Sequence, residues 1–322
     1  MSDATKIMKR HPKNPLISPD DIPNTFAVFN PSPVMYGDKT ILLLSVYSHC
    51  IKGDGCASKG IYIATSDDGI KFDIQHDKPF IDLDDPENPF TFVNGGVIDC
   101  RITKIEDIYY IVTPLNSGGE GPFAFLGKTE DFKTYTPIEV ISLPPNRGAS
   151  LFPEKINGKY YKLDRPSSGG GGHGNDGSIW LASSPDLIHW GCHRPLIRPG
   201  FAIWNILKVG PTPPIKTPEG WLEIIHGIMT WGGGCSSHYY IGAVLLDLEN
   251  PEKVIGKMKS YLLAPEEPYE AIGIVNSVCF PCGAIGNLEK DELRLYYGAA
   301  DKHVCLATGS LSEVVEACKK EI

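Results

Sequence analysis

Asp99 and Arg101 in VIDCRITKI, Arg147 and Arg165 near the ends of NRGASLFPEKINGKYYKLDR, Lys208 in LKVGPTPPI, and Glu223 and His226 in WLEIIHGI are polar residues set in short, otherwise apolar or turn-rich stretches. A carboxyl group can carry a proton to or from a reacting atom. Guanidinium groups grip oxyanions with two parallel hydrogen bonds, and a lysine supplies a compact point charge. Brought together, one acid and several cations would form a pocket for an anion beside a proton-transferring group. Taken singly, each residue has a plainer structural reading: Asp99 with Arg101 as an ion pair, Lys208 as a solvated surface residue. Other motifs carry less. Cys279-x-x-Cys282 in CFPC suggests redox or zinc chemistry, but residues three apart on a strand point to opposite faces and no second pair completes a metal site. His189 and His193 flank a Trp-Gly turn rather than lying on a helix, and SSGGGGHGNDG (167–177) is followed by no helix start, so it reads as an inter-strand loop that could lie over a channel. No metal ion is expected.

Residues this far apart need a scaffold that returns to one place repeatedly, and the chain repeats itself. GIYIATSDDGIKF (60–72) and SIWLASSPDLIHW (178–190) match position for position, and PFAFLGKTEDFKTY (122–135) is a third copy. Each ends in a turn carrying Asp68, Asp131 or Asp186 and closes on an aromatic, Phe72, Tyr135 or Trp190. The aspartates read as turn chemistry rather than catalysis. Before each copy stands a hairpin: FNPSPVMYGDKTILLLSV, DCRITKIEDIYYIVTPL and ASLFPEKINGKYYKLDRP, the last turning on Asn157-Gly158. Two further units begin at GPTPPIKTPEGWLEIIHGI and CFPCGAIGNLEKDELRLYYGAAD. Five hairpin pairs of about four strands each predict an all-β, five-bladed β-propeller spanning residues 1–322 as a single catalytic domain. Its ends should meet. The only helix expected is the C-terminal SLSEVVEACKKEI, where Ser310 and Glu313 have capping-box spacing.

Composition limits the partners. The chain has 322 residues, 42% hydrophobic and 21% charged, with no apolar run long enough to span a bilayer. Its N-terminus, MSDATKIMKRHPKNP, lacks the apolar core of a signal peptide, and nine scattered cysteines do not resemble the disulfide framework of a small secreted domain, so a cytoplasmic protein with reduced thiols is expected. A net charge of -9 argues against nucleic acid as a partner, and nothing argues for a membrane. A homo-oligomer is compatible with the sequence.

HPKNPLISPDDI, LFPEKINGKYYKLDRP, SPDLIHWGCH, GWLEIIHG, GAVLLDLENPEKVI, LLAPEEPYE and YYGAADKHVCLAT, in this order over nearly the whole chain, resemble the inverting β-mannoside phosphorylases of glycoside hydrolase family 130. The resemblance implies a five-bladed propeller and a mannosidic bond cleaved by inorganic phosphate, the co-substrate, with no cofactor. It implies Asp99 as the acid; Arg147, Arg165, Lys208, His226 and Tyr239 as the phosphate pocket; and Asn30, Arg101, Glu223 and Asp301 on the substrate side. NPLISPDDI and GWLEIIHG look most like members acting on β-1,2-linked mannobiose and mannooligosaccharides. Three positions depart from the family pattern: Ser45 stands where an Arg reaches the sugar, Cys100 replaces the Pro of Asp-Pro-Arg, and Gly148 replaces a polar residue.

An inverting hydrolase needs a second carboxylate, roughly 6.5–9.5 Å from the acid, to activate water. Phosphate is already an anionic nucleophile and needs cations to hold it instead. One Asp with several basic residues therefore fits phosphorolysis better. Two alternatives remain on the same fold: a hydrolase using Glu223 or Glu266 as base, and a non-catalytic sugar-binding propeller. A β-1,4-mannosyl-glucose phosphorylase is the other specificity.

Overall fold

In a computed structural model, which describes residues 6–48, 57–82, 96–116, 121–166, 177–231 and 236–320, the hairpin pairs become five antiparallel sheets. Blade one comprises Thr25–Tyr36, Lys39–Ser48, Ala57–Ser66 and Asp73–Gln75, and blade two Arg101–Ile105, Ile108–Asn116, Pro122–Thr129 and Thr136–Ser142. Blade three comprises Ser150–Leu151, Tyr160–Asp164, Ile179–Ser184 and Gly191–Ile197. Blade four comprises Val209–Gly210, Gly220–Trp231, Ser236–Leu246 and Val254–Lys257. Blade five takes Cys279–Pro281, Glu292–Ala299 and His303–Ser310 from the end of the chain and its outermost strand, Lys9–Arg10, from the beginning. The ring is thus closed by pairing Lys9 with Thr308 and Arg10 with Ala307, and the two ends meet as expected. The first strands of blades five, one, two and three contact one another in turn, and that of blade five also meets the second strand of blade four, which places them around the axis. The glycine-rich stretch 167–176 lies outside the described residues.

Each blade is buried on both faces, which explains runs such as ILLLSV. Successive side chains on a strand alternate faces. Leu42, Leu44 and Val46 pack towards blade five with Tyr296, Val304 and Leu306, while Ile41 and Leu43 pack towards blade two with Ile102, Ile111 and Phe123. Similar clusters fill the other interfaces, two to three around Leu126 and Leu151, three to four around Trp204 and Trp221, and four to five around Leu245 and Leu295. Burying each such side chain stabilises the fold by about 1.5–3 kcal/mol.

The repeated turns have a structural reason. The carboxylate of Asp68 accepts the amides of Ile70 and Lys71, Asp131 those of Lys133 and Thr134, and Asp186 those of Ile188 and His189. The Lys71 and Ile70 amides and the Ser66 hydroxyl hold the Asp68 carboxyl down at about 2. Asp247 performs the same service in blade four for Glu249 and Asn250. The aromatic after each turn then reaches the preceding blade's material: Phe72 packs edge-on against Tyr296 at 6.0 Å, Tyr135 against Phe80 at 6.0 Å, and Trp190 joins the cluster between blades two and three. Turn and anchor together fasten the outer edges of blades one, two and three to their neighbours.

The C-terminal helix, Leu311–Lys320, starts where Ser310 Oγ accepts the Glu313 amide and Asp291 accepts the Ser312 amide, and it buries Leu311, Val314, Val315 and Cys318 against blades four and five. One short further helix, Pro268–Ala271, was not foreseen. Among the described residues no helix is long and apolar enough to cross a membrane.

Candidate active site

Several of the polar residues singled out above sit where the chain enters an innermost strand. Asp99 lies just before the first strand of blade two, Arg147 before that of blade three and Lys208 directly before that of blade four, while Asn30 lies at a register shift within the first strand of blade one; Arg165 follows the second strand of blade three, and Glu223 and His226 lie on the second strand of blade four. Asn30, Asp99 and Asp301 all adopt left-handed backbone conformations, with φ of 48°, 58° and 49°. Asn and Asp tolerate this region better than other non-glycine residues, and here it turns their side chains out of the ladder.

Asp99 is the hub. Its carboxylate is almost fully buried; Oδ1 accepts a hydrogen bond from Asn30 Nδ2 at 2.7 Å and Oδ2 one from Arg147 Nη2 at 3.2 Å. Its backbone is pinned as well: the Asp99 amide donates to Ser45 Oγ at 3.0 Å, and Arg101 Nη1 donates to the Asp99 carbonyl. Arg101 therefore grips the backbone of Asp99 and leaves the carboxylate to Arg147. Cys100 packs inward, its thiol on Thr113 Oγ1, so this departure from the family pattern points away from Asp99's carboxylate.

The cations gather beside it. Arg165 is buried and donates through Nη2 to the Arg147 carbonyl at 3.1 Å. Burial, then the charges of Arg147 and Arg101, pull its guanidinium down to about 10. Lys208, with Nζ 5.5 Å from the centre of the Tyr239 ring, is brought to about 7 by burial and then by Arg165 and Arg147. Burial works against the Arg147 charge, but the carboxylates of Asp99 and Asp301 outweigh it and raise its pKa. His226 is fully buried, and burial followed by Arg165 and Arg101 holds it well below its usual range, so its imidazole is neutral. Its ring lies 4.4 Å from Phe280 and covers Gly210, where a Cβ would stand 2.0 Å from Cε1; only glycine fits under it. Burial raises the Tyr239 hydroxyl, which remains a neutral donor. Asp301 is pushed up to about 7 by burial and by the Asp99 charge.

Glu223 and His226, three apart on one strand, point to opposite faces of blade four. His226 faces Phe280 of blade five, whereas Glu223 is wholly buried and accepts the Thr212 amide at 2.6 Å. Burial raises its carboxyl well above the usual range. Glu266 pairs with Arg10 on the outermost strand of blade five, away from the inner strands. Among the described residues Asn30 Oδ1, Arg101 Nε and Nη2, Arg165 Nε, Glu223 Oε2 and His226 Nδ1 are buried without a hydrogen-bond partner in the protein. Buried polar atoms left unsatisfied in such numbers are typical of a site built for a ligand rather than for packing.

Two contributors were not visible in the sequence. Phe280 sits between the paired cysteines, facing both His226 and Arg101, the latter at 5.8 Å. Cys279 and Cys282 are free and belong to different clusters, and no group of His, Cys, Asp and Glu among the described residues is placed to hold a metal ion. Ser45, visible only as a departure, supports the Asp99 backbone.

Comparison with known proteins agrees with the geometry. The profile of glycoside hydrolase family 130, described as beta-1,4-mannooligosaccharide phosphorylase, matches residues 2–320. The beta-1,4-mannooligosaccharide phosphorylase of Ruminococcus albus is 35% identical over 99% of this chain and 92% of its own. The beta-1,2-mannobiose phosphorylase of Listeria innocua is 39% identical over 81% of this chain and 69% of its own. The solved structure of the Listeria enzyme with beta-1,2-mannobiose superposes with a TM-score of 0.85, at 31% identity, over 97% of this chain and 99% of that one. With a profile match from the second residue to the last turn of the C-terminal helix, this chain belongs to glycoside hydrolase family 130.

Proposed function

We propose that the protein is an inverting β-mannoside phosphorylase that cleaves a short β-mannoside with inorganic phosphate to give α-mannose 1-phosphate. One observation carries this reading: Asp99 stands at the edge of a cluster of Arg147, Arg165 and Lys208, while Glu223 and Glu266, the carboxyls considered as a hydrolase's base, are engaged elsewhere. Asp99 protonates the glycosidic oxygen. Phosphate, held by the three cations with His226 and Tyr239, attacks the anomeric carbon from the opposite face. With no enzyme nucleophile there is one displacement, and one displacement inverts. Asn30 and Asp301 hold the sugar beside Asp99, and Arg101 keeps Asp99 in place. Release of mannose at equal rates with and without phosphate, or first-formed β-mannose 1-phosphate by NMR, would refute this.

The finer assignment is to β-1,2-linked mannobiose or mannooligosaccharide, supported by the identity and superposition with the Listeria enzyme. The Ruminococcus relative, matched over more of the chain, favours β-1,4-linked mannooligosaccharides as the second reading. Incubating both disaccharides with phosphate decides between them.

Two consequences concern phosphate. Removing Arg165 with Arg165→Ala takes away a charge-assisted contact worth roughly 1.5–3 kcal/mol, so the phosphate KM should rise about ten- to a hundredfold while the mannoside KM changes little. Equal rises in both would assign Arg165 to structure. Lys208 carries its proton below about 7 and loses it above. Apparent phosphate affinity should therefore fall as pH rises through that point. In Lys208→Arg the charge persists throughout the range and the fall should flatten. An unchanged profile in that variant would place the titration elsewhere, Asp301 being the next group to test.

A further inference from the structure

Arg101 reaches across the channel. It starts on the first strand of blade two, yet its guanidinium carbon lies 5.8 Å from the ring centre of Phe280 on blade five, which does not adjoin blade two in the ring, and Phe280 packs in turn on His226 of blade four at 4.4 Å. The whole side chain is buried. Nη1 is taken by the Asp99 carbonyl, while Nε and Nη2 have no hydrogen-bond partner in the protein. Those two nitrogens share one edge of the planar guanidinium, an edge that can grip an oxyanion with two parallel hydrogen bonds. Among the described residues Arg101 forms no ion pair. Asp99 turns its carboxylate to Arg147, and Glu223, whose carboxyl feels the Arg101 charge, directs Oε1 to the Thr212 amide.

Gly148 makes room at this edge. It follows Arg147 as the chain enters blade three, at a position where the family pattern has a polar side chain. A Cβ there would stand 3.5 Å from Arg165 Nε and 3.8 Å from Arg101 Nη2. Both nitrogens are buried and unpartnered, so the surface of Gly148 is bordered by Arg165 Nε and by the Nε–Nη2 edge of Arg101, donors from two blades that no group of the protein accepts. A second glycine lies against the same guanidinium, since a Cβ at Gly177 would meet Arg165 Nη1 at 3.5 Å. The arginines feel each other: burial, then the charges of Arg147 and Arg101, bring Arg165 down to about 10. Next to burial, Arg165 and Arg101 are also the two largest influences that lower His226. Buried like charges are costly without a counterion, and an anion seated between them removes that cost.

We propose that Arg101 binds the nucleophilic phosphate directly, through Nε and Nη2, and that Gly148 seats one phosphate oxygen between Arg101 and Arg165. The inference rests on the phosphorylase reading and adds a link between the two reacting partners: one guanidinium holds the backbone of the acid with Nη1 and the nucleophile with its other edge. A tetrahedral dianion suits these donors better than a planar carboxylate or a halide, because it has an oxygen for Arg101 and Arg165 at Gly148 and others left for Arg147 and Lys208.

Gly148→Ser is the test. The backbone at Gly148 is not left-handed and the contacts a Cβ would make are ordinary ones, so the fold should tolerate the change. The introduced hydroxyl takes the seat of the phosphate oxygen and accepts from the two arginines, so the phosphate KM should rise about tenfold, with the mannoside KM unchanged and Tm level or raised. Gly148→Ala should raise the phosphate KM without raising Tm. Arg101→Lys keeps a charge but loses the two-nitrogen edge; it should lower kcat by freeing the Asp99 backbone and raise the phosphate KM as well. In the double variant with Gly148→Ser the two effects on the phosphate KM should fall short of multiplying, because both act on one oxygen. An unchanged phosphate KM in both Gly148 variants, or effects that multiply fully in the double variant, overturns the proposal and leaves the phosphorylase reading standing. Calorimetric titration with inorganic phosphate separates the two levels of inference. Phosphate binding that Gly148→Ser weakens, in a protein that turns over no mannoside, would sink the phosphorylase reading and keep the anion seat; neither binding nor turnover in the wild type would sink both.

Discussion

Asp99→Asn is expected to lower kcat by about 10²- to 10⁴-fold, the usual contribution of a general acid, with the fold unchanged. The substitution keeps the shape of the side chain, and asparagine tolerates the left-handed backbone at this position. The contacts that fix the backbone, from the Asp99 amide to Ser45 and from Arg101 to the Asp99 carbonyl, do not involve the carboxylate and survive. Arg147 loses its anionic partner, so its guanidinium becomes more available to phosphate and the phosphate KM should stay level or fall. This split, a collapsed kcat with undiminished phosphate affinity, separates an acid from a residue that merely holds the pocket together. Asp301→Asn is the control, because Asp301 shares the same environment and its carboxyl is pushed up to about 7 by burial and by the Asp99 charge. A larger kcat loss in Asp301→Asn than in Asp99→Asn would move the proton to Asp301.

Much of this architecture could be read from local pattern. The turn at Asp68, Asp131 and Asp186 recurs because each third strand must reverse and fasten to the preceding blade, and a carboxylate collecting two amides does so in any blade. Apolar runs such as ILLLSV record burial on both faces, and the number of hairpin pairs gives the number of blades. The closing strand was not legible. Lys9–Arg10 is only two residues long, and its place is set by contacts with residues near the other end of the chain. At the site, residue type drew attention to Asp99 and to cations that the structure gathers beside it, while a role for each was implied only by the resemblance. It could not tell where each hydrogen bond goes. Arg101 follows Asp99 in sequence yet bonds its carbonyl, and the carboxylate is met by Arg147 from the next blade. Phe280 was hidden in a short strand whose neighbours drew attention for being cysteines. Ser45 looked like a loss of sugar contact, and only the fold shows its hydroxyl holding the Asp99 amide.

The ring's closure should be its most sensitive structural point, and Glu270→Ala is expected to cost about 3–5 kcal/mol, the range for breaking a buried ion pair by removing one partner. Glu270 has no exposed surface, and four groups depend on it. Arg10 reaches Oε1 through Nε at 2.8 Å and Oε2 through Nη2 at 3.0 Å, the Tyr297 hydroxyl donates to Oε1 at 2.7 Å, and the amides of Glu266 and Glu267 donate to Oε2. Removing the carboxylate leaves a guanidinium, a hydroxyl and two amides without their acceptor at the seam where the first strand meets the last blade. For a chain of this size the loss corresponds to a fall in Tm of roughly 4–8 °C. Arg10→Met should cost less, because Glu270 keeps its hydroxyl and amide donors when the arginine goes. That order follows from the carboxylate serving four donors while the arginine serves mainly this carboxylate, with further bonds to Glu266 and the Ala264 carbonyl. Hydrogen exchange should report the same asymmetry, with protection lost along His303–Ser310, which Lys9–Arg10 covers, before it is lost in blades two and three. A Glu270→Ala protein within 1 kcal/mol of wild type, or one in which all blades lose protection together, would mean that the seam is held by strand pairing and packing and that the ion pair adds little.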